Sequence, residues 1–270
     1  MSEVVRQYYN RRPESEWKRL QSPYGSLEWA GTLHLIDSYF PASGHVADIG
    51  GGPGRYTIEL LQRGFQATLV DLSEHNIALA EEKLSEAKVR AEAVLCANAT
   101  DLSCFESSSF DAALMLGPMY HIIDENVRRQ ALEELGRILK PGAPAIVGFI
   151  NPLGVLRAAL TETPEMFSEY VSPSSLLDTC IQCGEQEAFT EAAFLAPAQA
   201  VFELRQAGFA VETRAGAEGF AAGMLDEVQA IAAGDPGALD TIRRLVAETC
   251  ELPAYRDSTE HLQVVVRRIA

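Results

Sequence analysis

The chain has 270 residues, 47% hydrophobic and 22% charged, which is ordinary for a globular protein and enough for one large α/β unit with an ample core. Its formal net charge of -16 repels polyanions, and no Lys/Arg cluster offsets it, so the composition argues against a nucleic-acid partner. No apolar run approaches the ~18 residues of a membrane span and the opening residues lack the apolar stretch of a secretion signal, so the expected location is the cytoplasm, away from any membrane.

Residues 1–45 read as N-terminal helices crowded with aromatics: Tyr8, Tyr9, Trp17, Tyr24 and Trp29. So many rings at one end must pack on something, either as a lid over a ligand or as anchors for helices on a sheet. A short apolar strand opening at Val46 and ending near Asp48 then turns through Gly50, Gly51, Gly52 and Gly54. A helix follows from about Arg55, with Ile58 and Leu61 on one face. Gln66 to Val70 reads as a second strand ending in Asp71, and Ser73 as the N-cap of a helix through Ile77, Ala80, Leu84 and Ala87. Ala91 to Cys96 is a third strand, leading to Asn98-Ala99-Thr100-Asp101-Leu102. Phe110 to Leu116 is a fourth, broken by Gly117-Pro118. Asp124 caps a helix with Val127, Ala131, Leu135 and Ile138 on its apolar face, stopped by Lys140-Pro141-Gly142. Ala145 to Ile150 is the fifth strand.

There the alternation pauses. Residues 151–196, with Asn151-Pro152, Thr163-Pro164 and Ser172-Pro173, read as a helical insertion of short helices broken by turns. A helix from Pro197 to Ala207, closed by Gly208, and a strand from Phe209 to Thr213 resume the pattern. A second helical insertion, 217–258, precedes a last strand from His261 to Ile269. The expected fold is α/β: a Rossmann-like, doubly wound, mostly parallel seven-stranded sheet, with helical insertions forming a cap. Residues 46–150 form its core and 197–270 complete it.

Of the five cysteines, Cys180 and Cys183 make a C-x-x-C, but no second pair stands at zinc-site spacing. They read as small buried residues or surface thiols, and no metal site is expected.

The glycine loop carries the chemistry. Glycines at such a turn let backbone approach a ligand where any side chain would collide. The dinucleotide pattern G-x-G-x-x-G, counted from Gly50, puts Arg55 at its third glycine and fails. What stands here, D-x-G-x-G-x-G over Asp48, Gly50, Gly52 and Gly54, resembles motif I of the class I S-adenosylmethionine (SAM)-dependent methyltransferases. Asp71, 21 residues after Gly50, sits where those proteins place an acid for the ribose hydroxyls. Ala97 to Leu102 is similar to their G-D-A-x-x-L segment, with Asn98 in place of Asp and Ala97 in place of Gly. Ser109-Phe110-Asp111 and Leu139-Lys140-Pro141-Gly142 match two further segments.

The resemblance implies SAM as cofactor. It implies that Asp48, Gly50, Gly51, Gly52 and Gly54 surround its methionine portion and that Asp71 takes the ribose. Leu72 would lie against the adenine, Asn98 and Ala99 would bind its edge, and Leu116 would wall the sulfonium. For Asp71 the competing reading is a helix cap, and for Asn98 a turn former.

Ligands of an open parallel sheet bind beyond the carboxyl ends of its strands, so Tyr120 and His121, after the fourth strand, are the candidate catalytic residues. With an ordinary pKa of about 6.5, His121 could act as a general base at neutral pH; the alternative is an imidazole that merely walls the pocket. The insertion at 151–196 would cap the acceptor through Leu156, Leu160, Met166, Phe167, Tyr170, Leu176, Leu177 and Phe189, unless those residues form its own core. Glu165, Glu169 and Asp178 read as its solvated face. The function expected is methyl transfer to a small-molecule acceptor. The alternatives are a macromolecular acceptor, tRNA or protein, and a non-catalytic SAM-binding regulatory protein.

Overall fold

A computed structural model describes residues 1–167, 180–182 and 190–269. Its centre is a sheet in which β1 (His45–Ile49) lies between β2 (Gln66–Asp71) and β4 (Ala112–Met115), all parallel. β3 (Ala93–Cys96) extends it beyond β2 and β5 (Pro144–Ile150) beyond β4, again parallel. β9 (His261–Arg268) then runs antiparallel beside β5, and β8 (Phe209–Gly216) antiparallel beside β9. The order β3-β2-β1-β4-β5-β9-β8 is the expected seven-stranded sheet.

Two further strands belong to the first insertion. β6 (Cys180–Gln182) pairs antiparallel with β7 (Ala192–Phe194), and the pair joins the sheet where Ile150 meets Phe194. The reading of 151–196 as short helices is corrected at these two strands alone. Three residues are too few to show the alternation that marks a strand, so this pair left no pattern in the sequence.

Helices cover both faces, which explains why the central strands are apolar throughout instead of alternating. Along β4, Ala112 and Leu114 face a cluster with Leu35, Leu60 and Ile146, whereas Ala113 and Met115 face one with Leu132, Leu135 and Phe209. The first cluster is covered by α3 (Gly25–Tyr39) and α4 (Arg55–Gln62). The second is covered by α6 (Glu125–Ile138) and α8 (Pro197–Gln206), which Arg128 and Glu203 clamp with two hydrogen bonds of 2.7 and 2.8 Å. α5 (Glu74–Ala87) starts at Ser73, whose hydroxyl accepts from the Asn76 N–H, and α6 starts at Asp124, whose carboxylate accepts from Asn126 and Val127. Both are the caps expected from the sequence.

α7 (Pro152–Glu162) opens the first insertion. The second supplies α9 (Leu225–Gly234), α10 (Pro236–Thr249) and α11 (Pro253–Arg256). Val228, Leu239 and Val246 of this group pack on Leu27 of α3, which puts them against the outside of the molecule's α3 face. α1 (Glu3–Asn10) and α2 (Pro13–Arg19) lie against α5. Among the described residues no helix is long and apolar enough to cross a membrane.

Candidate functional site

Strand order reverses between β1 and β4, and the glycine loop sits at that point. The N–H groups of Gly50 and Gly51 both donate to the Val70 carbonyl, at 2.7 and 3.2 Å, tying the loop to the end of β2. Gly50 has φ +71°, and a Cβ there would lie 2.6 Å from Pro118, so no side chain fits. Gly52, at φ +55°, differs: a Cβ would point into open space, with Asn76 Nδ2 its nearest neighbour at 3.9 Å. The loop is thus packed underneath and bare above.

Asp71 closes the floor beside it. Its carboxylate accepts from the N–H groups of Gly52 (2.8 Å) and Ser73 (2.9 Å) and from Asn76 Nδ2 (3.2 Å). Asn76 Oδ1 is buried and has no partner among the described residues. Asp48 accepts from the Thr57 hydroxyl at 2.6 Å. Burial pushes its pKa up to about 6, with Asp71 adding to the rise, and burial raises Asp71 as well.

Above this floor lies a cavity. Of the residues singled out in the sequence, it brings together Asp48, Gly50, Gly51, Gly52, Asp71, Leu72, Leu116, Tyr120 and His121. Gly54, Asn98 and Ala99 do not line it. Gly54 N-caps α4 at φ +83°, and a Cβ on it would meet Leu69 and Ala80 at 3.1 and 3.4 Å, so its work is helix packing. Ala99 is buried in the core. Asn98 is occupied by the N-terminus: its Oδ1 accepts from the Met1 ammonium at 3.1 Å and its Nδ2 donates to the Met1 carbonyl at 3.3 Å.

The other walls come from residues that sequence reasoning left unassigned. α1 and α2 roof the cavity through Val5, Tyr9, Glu16 and Arg19. Tyr9 Oη lies 2.7 Å from His121 Nε2, and His121 Nδ1 lies 3.0 Å from the Glu191 carbonyl. A carbonyl only accepts, so Nδ1 carries the proton and Nε2 takes the tyrosine's. Burial lowers the His121 pKa to about 4, below the near-neutral value that the sequence alone led one to expect. Asn10 fastens the roof to α5, accepting from the Ser73 hydroxyl at 2.6 Å. No described residue of 151–196 lines the cavity. From this segment Glu191 touches the roof and a wall: its carboxylate accepts from Ser2 and its carbonyl from His121. Tyr170, Leu176, Leu177, Phe189, Glu169, Asp178 and Cys183, and the Met166 side chain, lie outside the described residues.

A second polar group adjoins this one. Arg19 donates to Glu16 (3.2 Å) and Glu28 (2.5 Å), and His261 Nδ1 lies 2.5 Å from Glu218. Burial would lower His261, but Glu218 and Glu28 outweigh it and raise the imidazole to about 9. Among the described residues, Glu28, Glu218 and His261 have donor atoms close enough, within 4.8 Å, to suit a metal ion. Their charges are already met, Glu28 by Arg19 and Glu218 by the imidazolium, so a metal would have to displace both. The one signal that could have found Arg19 and Glu28 was a charged pair amid the N-terminal aromatics, which looks like any solvated helix face.

Residues 46–142 match a family model described as a methyltransferase domain. A putative methyltransferase of Geobacillus sp. is 32% identical over 96 residues, 35% of this chain and 38% of that protein. The tRNA 5-carboxymethoxyuridine methyltransferase of Escherichia coli (strain K12) is 28% identical over 133 residues, 48% of this chain and 49% of that protein. The matches thus span half or less of the curated relatives' length. A SAM-dependent methyltransferase structure from Methanosarcina mazei superposes with a TM-score of 0.60 at 19% identity, covering 87% of this chain and 97% of that one. That last likeness is one of fold.

Proposed function

We propose that this chain, whose residues 46–142 match a methyltransferase-domain model, is a class I SAM-dependent methyltransferase that transfers a methyl group from SAM to a small-molecule acceptor. The observation that carries the reading is the cavity over the glycine loop, floored by Asp71 and roofed by α1 and α2. A covered cleft over the carboxyl ends of the strands suits a small acceptor held beside a cofactor.

The residues present fit SAM. Asn76 Oδ1, orphaned beside Asp71, is an acceptor awaiting a donor, and the bare upper side of Gly52 leaves a cradle that a Cβ would fill. Asp71 and Asn76 would hold the ribose hydroxyls. Asp48 and the backbone of Gly50, Gly51 and Gly52 would meet the methionine portion, Leu72 would flank the adenine and Leu116 would wall the methyl. Adenine reaches Asn98 and Ala99 if Met1 releases the Asn98 amide, while Gly54 serves the cofactor indirectly, by seating α4. When bound, SAM supplies an electrophilic methyl on sulfur.

The protein's own part is alignment in a dry pocket. His121 is neutral and hydrogen-bonded at both nitrogens. Moving a phenol-like proton onto an imidazole of pKa about 4 would be uphill by ~6 units, or ~8 kcal/mol. We therefore read His121 as a wall that fixes the Tyr9 hydroxyl, with Tyr120 beside it, and not as a general base.

A second reading, tRNA as acceptor, is favoured by the Escherichia coli relative; the net charge of -16 and the roof count against it. Incubation with SAM labelled at the methyl group decides, using a small-molecule extract and tRNA as separate acceptors. Label in the small-molecule fraction supports the proposal, and label in tRNA alone replaces it. SAM binding without transfer to either would point to a regulatory protein.

A further inference from the structure

α1 has little hold of its own, with Val5 its single buried residue. Two of its contacts converge on one residue of the first insertion. At its start, the Ser2 hydroxyl accepts from the Val5 N–H as N-cap and donates to Glu191 Oε2 at 2.5 Å. At its end, the Tyr9 hydroxyl donates to His121 Nε2 at 2.7 Å, and His121 Nδ1 donates to the Glu191 carbonyl at 3.0 Å. Ser2, α1, Tyr9, His121 and Glu191 thus close a ring of bonds. Glu191 holds both ends of the helix, one by its side chain and one by its main chain. Its carboxylate also stands at the positive end of α1, where negative charge is favoured. The other polar ties of α1, such as Asn10 to Ser73, Arg6 to Glu74 and Met1 to Asn98, run to segments after β2 and β3.

Glu191 leads directly into β7. There Phe194 pairs with Ile150 at the end of β5, and the Leu195 N–H donates to the Ile150 carbonyl at 2.9 Å. Ala193 and Leu195 are buried in the same cluster as Met119 and Phe149. We propose that Glu191 is a joint that makes the closing of α1 over the cavity and the seating of β7 on the sheet a single event, so that a ligand under the roof also sets the first insertion. The open and closed positions of α1 are the two states, and every bond in the ring favours the closed one. Such coupling is reciprocal: what loosens one segment loosens the other. A residue that merely supported the cap of α1 would act in one direction only. The joint does not depend on what the cavity binds; that its occupant is a SAM-type cofactor rests on the methyltransferase reading.

Amide hydrogen exchange, followed segment by segment in the full chain, tests the joint with Tyr9→Phe and Glu191→Ala. Tyr9→Phe keeps the ring against His121 and removes only the hydroxyl. Nε2 then lacks the proton that fixes the tautomer, which weakens the bond from Nδ1 to Glu191. In the free protein, exchange at 192–195 should speed about 3- to 10-fold in Tyr9→Phe, and exchange in α1 by a similar factor in Glu191→Ala, the scale of one hydrogen bond. β4 should be unchanged in both. If β4 speeds as well, the whole fold has weakened, and Glu191→Gln, which keeps an oxygen facing Ser2 and loses only the charge, repeats the test at smaller amplitude. Saturating wild-type protein with S-adenosylhomocysteine should slow α1 and 192–195 together, whereas in Tyr9→Phe it should slow α1 alone. Variants whose effects stay within their own segment, or a ligand that slows α1 alone in the wild type, overturn the joint and leave the methyltransferase reading in place. Wild-type protein that binds no S-adenosylhomocysteine overturns that reading, and the exchange of the free variants still decides the joint.

Discussion

Two pairs of buried carboxylates adjoin the same cavity and are treated in opposite ways. Asp48 and Asp71, 2% and 8% exposed, receive only neutral donors, and among the described residues no cation lies within ion-pair distance of either. Glu28 and Glu218, 6% and 2% exposed, each hold a cation, Arg19 and His261. The titration behaviour follows. Burial leaves Asp48 raised to about 6, whereas in Glu28 burial is overridden by Arg19 and the pKa falls. Where the chain supplies the counter-charge, the cluster is self-contained structure. Where it withholds one, buried negative charge is held ready for a positive ligand, and the sulfonium of the proposed cofactor is one.

The largest effect should come from breaking the compensated pair. His261→Leu strips the partner from Glu218 and should cost about 3–5 kcal/mol in urea unfolding; a loss under ~1 kcal/mol would erase the contrast. The uncompensated side should respond with the opposite sign. Between 3.8 and about 6, folded Asp48 keeps a proton that the unfolded chain releases, so wild-type stability falls as pH rises through that window. Asp48→Asn should remove this fall and stabilise the free protein by up to ~3 kcal/mol at pH 7. Identical pH dependence in the two proteins would show that Asp48 is not held uncharged by burial.

Asp71→Ala tests whether that floor holds a ligand. It should weaken S-adenosylhomocysteine by roughly 1.5–3 kcal/mol in calorimetry, and unchanged affinity with the fold intact would move the ribose elsewhere. The smallest effect belongs to His121→Asn, which should keep most of the turnover. An inflection of the rate near 6 belongs to Asp48 and should persist in His121→Asn, because His121 titrates at about 4. A drop of about 10²-fold or more would restore it as a base.

What could be read from the sequence follows the same division. The loop, Asp71 and the caps at Ser73 and Asp124 depend on backbone conformation and on neighbours a few residues apart, so spacing alone reveals them. Tyr9 meets His121 across 112 positions, and Met1 meets Asn98 across 97. No local pattern encodes such contacts, which is why Tyr9 read only as one ring among many. The pKa of His121 was hidden for the same reason, since burial is a property of the assembled walls. The β6–β7 pair failed through brevity, and Gly54 fitted a ligand motif while its space is taken up by Leu69 and Ala80.

The roof has a consequence in time. α1 contributes a single buried residue, Val5, and α2 none, so little apolar surface opposes their lifting. The links at Tyr9 and Asn10 are hydrogen bonds that water can replace. Segments of this kind open by local unfolding, far below the free energy that holds the sheet, on the microsecond-to-millisecond scale of lids. How long a ligand stays would then be governed by how often α1 comes away, and amide exchange there should slow when the cavity fills.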